Sequence, residues 1–168
     1  MSLRIRAAEA GDAGAIAEIH NQGVAERVAT FRADPRPLSD VAAAIDIGRL
    51  LLVADRGGTI VGWAGVGPYD DASTWYAGVG EATVYVDRGA RGQGVGRRLL
   101  AALEQAAVAG GHYKLIAKIF TTNEASLGLF EGLGYARVGV HRRHGRLDGD
   151  WRDVVVLEKP LGEARAAI

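Results

Sequence analysis

Two features of the 168-residue chain could do chemistry. The first is Arg91-Gly92-Gln93-Gly94-Val95-Gly96, which lies between a strand-forming and a helix-forming segment. Glycine at alternate positions permits positive φ, or a close approach of backbone to a ligand. The N–H groups of such a loop join the unpaired donors of the first helical turn, an arrangement suited to an anion and above all to phosphate. A dinucleotide fingerprint needs glycine where Arg97 stands, and no Gly-Lys-Ser/Thr is present, so the two common nucleotide loops are excluded. A glycine-rich surface turn is the alternative. The second feature is Glu81, a carboxylate that opens the otherwise apolar stretch Ala82-Thr83-Val84-Tyr85-Val86 leading into the loop. Partial burial there would raise its pKa and improve it as a general base, whereas a solvated strand end would leave it inert.

The elements that must position these residues follow from periodicity and punctuation. Leu3-Arg4-Ile5-Arg6 alternates as a short strand, and Asp12 can cap a helix carrying Ile16, Ile19 and Val24. Asp34-Pro35-Arg36-Pro37 stops that unit, and Ser39 or Asp40 caps a second helix. Leu51–Ala54, a turn at Arg56-Gly57-Gly58, and Thr59–Val66 form a hairpin. After the strand at Glu81–Val86, the residues Val95, Leu99, Leu103 and Ala106 make one helical face that Gly110-Gly111 ends. Tyr113–Phe120 is a strand, Asn123–Leu133 a short helix, and Ala136–Arg143 and Trp151–Glu158 are two strands joined around Gly145–Gly149. The order implies one α+β domain over residues 1–168, with a mixed sheet of about seven strands flanked by about four helices.

Composition narrows the function. There is no cysteine, which excludes a thiol nucleophile, disulfides and thiolate metal sites. Lys+Arg and Asp+Glu are both 20, so nucleic acid is not an expected partner. No leader-like or membrane-spanning run is evident, and a cytoplasmic location is the expectation. His141 and His144, at i,i+3 on a strand, should point to opposite faces, so no metal is expected, while His20 and His112 read as structural. The 24 glycines are about twice the usual ~7%. Gly62, Gly65, Gly67, Gly78 and Gly80 lie in or beside strands, and they suggest room for a ligand or partner backbone near Glu81.

Arg91-Gly92-Gln93-Gly94-Val95-Gly96 resembles the (Arg/Gln)-x-x-Gly-x-(Gly/Ala) loop of the GNAT superfamily of N-acetyltransferases, as do Asn123-Glu124-Ala125-Ser126 and Leu133-Gly134-Tyr135 in their places. The resemblance covers Leu3 to Pro160. Ile19-His20-Asn21, Ala29-Thr30-Phe31, Glu81–Val86 and Trp151-Arg152-Asp153-Val154 resemble the phosphinothricin N-acetyltransferase branch, with its arsinothricin and methionine sulfone acetylating members. What this implies is an acetyl-CoA-dependent transferase, without metal, acting on a small amine and working as a homodimer. Gly92, Gln93, Gly94, Val95, Gly96, Arg91 and Arg97 would hold the pyrophosphate, and Val84, Tyr85 and Val86 would pair with the pantetheine arm. The Val84 N–H would stabilise the oxyanion, Asn123 and Ser126 would meet the pantetheine or acetyl end, and Glu81 would be the base. Asn123 would equally serve as a helix N-cap. Arg27, Phe31, Tyr76 and Arg142 are the candidates to line the acceptor site with Glu81; a solvated basic hairpin is the equal alternative for Arg142.

Two positions depart from that pattern. Phe130 stands where many acetyltransferases carry a tyrosine that protonates the leaving thiolate; Tyr85, Tyr135 or water would have to substitute, or the thiolate leave unaided. Ser73-Thr74-Trp75-Tyr76 lacks the arginine that this branch carries before its glutamate, a residue suited to an oxyanionic substrate head. The expectation is therefore direct transfer to an amino-acid-like amine of unspecified head group. Acetylation of a protein N-terminus, or non-catalytic acyl-CoA binding, are its rivals.

Overall fold

Strands with side chains alternating between two apolar layers build the centre of the molecule. In the computed structural model, which describes residues 1–70 and 73–167, seven strands form one sheet. They are β1 (Leu3–Ala7), β2 (Leu51–Arg56), β3 (Thr59–Pro68), β4 (Val79–Val86), β5 (Lys114–Phe120), β6 (Ala136–Leu147) and β7 (Asp150–Pro160). Their order across the sheet is β1-β2-β3-β4-β5-β7-β6, and every neighbouring pair is antiparallel except β4 with β5. The mixed sheet and the order of elements are those expected from the sequence.

Period two divides the sheet. Leu52, Ala54, Ala64 and Ala82 point to one face, where they meet α3 (Val95–Ala109) through Val95, Leu99, Leu100, Leu103 and Ala107. Val53 and Trp63 point to the other, covered by α1 (Ala13–Glu26) and α2 (Leu38–Asp46) with Ile16, Ile19 and Val41. Each fully buried leucine in these layers contributes roughly 1.5–3 kcal/mol of transfer free energy. A short helix, α4 (Glu124–Gly132), follows β5 and buries Leu127 and Phe130.

Several local expectations are corrected. Asp12 is the N-cap residue of α1, but its side chain accepts nothing from the helix; its carboxylate accepts from Arg6 at 2.7 and 2.9 Å and from the Glu9 N–H at 2.8 Å. Those bonds, the Arg6 pair first, hold its carboxyl below the usual carboxylate range. Pro37, not Ser39 or Asp40, is the N-cap of α2, so both polar residues fall inside the first turn. β6 runs on through Gly145 to Leu147, and the chain reverses at Asp148-Gly149, both at positive φ (51° and 85°) as a tight hairpin requires. Register shifts between His141 and Gly145, with Arg143 at φ 49°, break the strand alternation there. His141 and His144 consequently share a face and stack at 4.5 Å instead of pointing apart.

The strand glycines also behave differently from the expectation. A Cβ on Gly65 would fall 2.5 Å from Leu51, on Gly78 2.2 Å from Tyr113, and on Gly80 2.3 Å from Val66. At Gly62 it would press on Leu99 and Val95 at 3.0 and 3.2 Å. The chain's own side chains fill that space, so these four are packing devices and leave no room for a ligand. Gly67 alone of the five has open surroundings, with only the Glu81 carbonyl at 4.0 Å.

Candidate active site

The sheet opens where its two parallel strands meet. β4 and β5 pair only as Val79–Lys114, Gly80–Leu115 and Glu81–Ile116. Past Glu81 the ladder stops: Ala82–Val86 stay paired with β3, and β5 continues on β7. A cleft of about 850 Å³ occupies the gap, floored by residues 81–86 and walled by Lys118, Ile119, Asn123 and the start of α3. Glu81 thus marks the point of divergence.

At the far end lies the glycine loop. Gly92 and Gly94 hold φ of +72° and +77°, with nothing within 4 Å of where a Cβ would stand. Gly94 is the N-cap of α3 and supplies no side chain to its first-turn N–H groups, which leaves them for a ligand. Arg91, Gly92, Gly94, Val95, Gly96 and Arg97 line the cleft. Arg91 is braced by Glu26 at 2.9 Å and Arg97 by the Gly132 carbonyl at 3.3 Å. Gln93 is outside the lining and donates to the Gly89 carbonyl at 3.0 Å. An open, donor-rich turn of this kind, joined to an unpaired strand edge, fits a pyrophosphate carrying an extended amide-bearing arm.

Asn123 both caps and lines. Its Oδ1 accepts from the Ser126 N–H at 3.2 Å as the N-cap of α4, a bond that leaves its Nδ2 donors unspent, and both residues border the cleft. Glu81 is half-buried, and its Oε2 accepts a 2.9 Å hydrogen bond from Lys118 Nζ across the diverging strands. The expected apolar setting for this carboxylate is therefore replaced by a cation.

The remaining acceptor candidates sit elsewhere. Arg27 ends α1 in the left-handed conformation, donates to the Val24 and Ala33 carbonyls and pairs with Asp148 at 3.0 Å. Phe31 packs edge-on to Phe120 at 4.7 Å and lies over Gly145. Tyr76 faces Tyr69 in a separate pocket beside Arg49 and His112, and Arg142 is exposed with Asp153 at 3.9 Å. None of these four is among the residues that border the cleft.

Lys118, Arg36 and His20 also line the cleft, a role not expected for any of them from the sequence. Lys118 is the one exposed residue in the apolar run Leu115–Phe120, a signal available in the sequence. Arg36 is clamped through its backbone by Asn21, at 2.7 and 3.0 Å, and borders the cleft with Thr30. His20, taken as structural, also lines it, packed against Tyr85 at 4.7 Å. Burial, reinforced by Arg36 and Arg32, pushes the His20 imidazole down to about 4. Of the two tyrosines considered as thiolate acids, Tyr85 lines the cleft, stacked on Trp63, with its phenol pushed up to about 12 by burial. Tyr135 packs behind Phe130 at 4.9 Å and is absent from the lining.

Residues 18–135 match the acetyltransferase (GNAT) family. The chain belongs to that family. It is an acetyltransferase, with acetyl-CoA as its co-substrate. The L-methionine sulfoximine/L-methionine sulfone acetyltransferase of Pseudomonas paraeruginosa is 31% identical over 99% of both chains. A GNAT phosphinothricin acetyltransferase from Sinorhizobium meliloti, solved with acetyl-CoA, superposes with a TM-score of 0.90 at 30% identity, covering 99% of this chain and 92% of that one. A ribosomal-protein-alanine N-acetyltransferase from Brucella melitensis superposes at 0.88 with 32% identity, over 94% and 99%. Among the described residues of this GNAT domain no helix is long and apolar enough to cross a membrane, and no cluster of acids and histidines could hold a metal.

Proposed function

We propose that the protein transfers acetyl from acetyl-CoA to the amino group of a small amino-acid-like substrate, both bound together, with Glu81 as general base. The observation that carries this is the end of the β4–β5 ladder at Glu81, which sets a carboxylate at one end of a cleft and a phosphate-type loop at the other. The unpaired edge at Val84, Tyr85 and Val86 would receive the pantetheine arm as an added strand, with the Val84 N–H facing the developing oxyanion. Glycines 92, 94 and 96, with Arg91 and Arg97, would hold the pyrophosphate. Glu81 takes a proton from the ammonium group, the freed amine bonds to the acetyl carbon, the nitrogen gives its second proton to water, and the carbon–sulfur bond breaks with its electron pair on sulfur. With Phe130 unable to donate and Tyr135 outside the cleft, the thiolate leaves to water or to Tyr85.

The relatives named for methionine sulfone and phosphinothricin favour free amino acids over peptides as acceptors. Release of free thiol from acetyl-CoA, followed across phosphinothricin, methionine sulfone, methionine sulfoximine, ordinary amino acids and a short peptide, tests this. Turnover on one or more of the amino acids is the expected result. Turnover on the peptide alone, or on nothing, overturns it. The same reading takes the protein as a homodimer, in keeping with the open edge strand β6 and its exposed Val138 and Val140. Sedimentation at the monomer mass would contradict that part.

A further inference from the structure

The Glu81–Lys118 pair joins one anion and one cation at the mouth of the strand divergence, 2.9 Å apart, where the acceptor amine must arrive. Lys118 needs an explanation on its own account. It interrupts a strand that is otherwise apolar from Leu115 to Phe120, and it stands where the β4–β5 ladder has already ended, so its backbone pairs only with Val156 of β7 and its side chain is not needed for that pairing. A base already bonded to an ammonium group is also poorly disposed to take a proton from a second one. The substrate must therefore relieve Glu81 of its partner.

An α-amino acid can do so. Its ammonium and carboxylate sit on one carbon, and they complement an adjacent anion and cation: the ammonium goes to Glu81 and the carboxylate to Lys118, giving four charges of alternating sign. Lysine suits the exchange because its charge is compact and rides on a flexible stem, and both side chains are about one-third exposed, which lets them repartner. We infer that Lys118 is a specificity-determining and positioning residue, which binds the acceptor's α-carboxylate and in doing so releases Glu81 to act as base. This rests on the amino-acid reading above and deepens it. Amines whose carboxyl is blocked, including peptide N-termini, leave Lys118 on Glu81 and are poor acceptors.

The proton and group balance is that of the parent reaction. One ammonium proton passes to Glu81, the nitrogen–acetyl bond forms, the second proton leaves the nitrogen of the tetrahedral intermediate to water, and the carbon–sulfur bond breaks with its electron pair on sulfur. Lys118 keeps its own proton throughout and changes only its hydrogen-bond partner.

The test compares L-methionine sulfone with its carboxamide, using wild type, Lys118→Met and Lys118→Arg, and measures kcat and KM for each. Acetyl-CoA affinity serves as the check on folding. Wild type should prefer the free acid by about tenfold or more, the scale of one charge-assisted hydrogen bond. Lys118→Met should bring that ratio near one, chiefly by raising KM for the free acid and without lowering the rate on the carboxamide. Lys118→Arg should restore it. A lysine that is merely structural would lower both substrates together, and an unchanged ratio in Lys118→Met overturns the inference while leaving the enzymatic reading intact. If wild type acetylates neither compound although it binds acetyl-CoA, the amino-acid reading falls for this class and the clamp with it.

Discussion

Glu81 faces Ile116 in the last rung of the parallel ladder, and beyond it β4 and β5 part. The backbone edge thus exposed is one strand wide. Amides of residues 82–86 that point toward β5 should exchange freely in the unliganded protein and gain protection when acetyl-CoA is added. Hydrogen exchange followed by NMR or mass spectrometry reads this directly. Protection confined to the α3 N-terminus, with none in β4, would show that the arm lies elsewhere.

Gly94 separates ligand binding from folding. Alanine at its left-handed φ of +77° meets no neighbouring atom, so the fold should lose only about 1–2 kcal/mol to backbone strain. The added methyl stands in the open space of the loop, and acetyl-CoA affinity should fall about tenfold or more. Calorimetric titration beside a thermal melt distinguishes this from general destabilisation.

Gly80 should behave in the opposite way. A methyl group there would lie 2.3 Å from Val66 Cγ1 and 3.0 Å from the His112 ring, so Gly80→Ala should cost roughly 1–3 kcal/mol through overpacking. Denaturant unfolding measures it. A neutral substitution would return the strand glycines to the ligand.

His20 links the cleft to pH. The residue is 8% exposed, and neither ring nitrogen has a hydrogen-bond partner. Burial lowers it from 6.5 to about 4, so below pH 6.5 the unfolded chain binds a proton that the folded one refuses. Stability from this group is complete above pH 6.5 and drains away as the pH falls toward 4, by about 3 kcal/mol in all. Melting temperatures across that range should fall in the wild type and fall less in His20→Phe, whose ring suits the contacts with Tyr85 and Trp63.

Much of the fold was legible because its signals are local. The alternation in β4 and β5, the helical face from Val95 to Leu103 and the glycine pairs at 57–58 and 110–111 each act within a few residues. The glycine loop and Asn123 were legible as well, since a strand–loop–helix junction and an N-cap are both short-range devices. What escaped were relationships between distant residues. Gly65 and Gly80 look alike in sequence whether a ligand or Leu51 and Val66 fill the space beside them. The Lys118–Glu81 pair spans 37 positions, and the point where the ladder ends is a property of register rather than of composition. The stacked histidines of β6 depend on a bulge that no alternating pattern announces.

The central claim is that Glu81 is the base of an acetyl transfer within this cleft. Acetyl-CoA binding and the rate of acetyl transfer, measured side by side in wild type and Glu81→Gln at neutral pH, test it most directly. The amide keeps the shape of the side chain and loses its ability to take a proton. Transfer should fall by about 100-fold or more, the usual scale for a lost general base, with acetyl-CoA affinity nearly unchanged. Full turnover in Glu81→Gln would contradict the account.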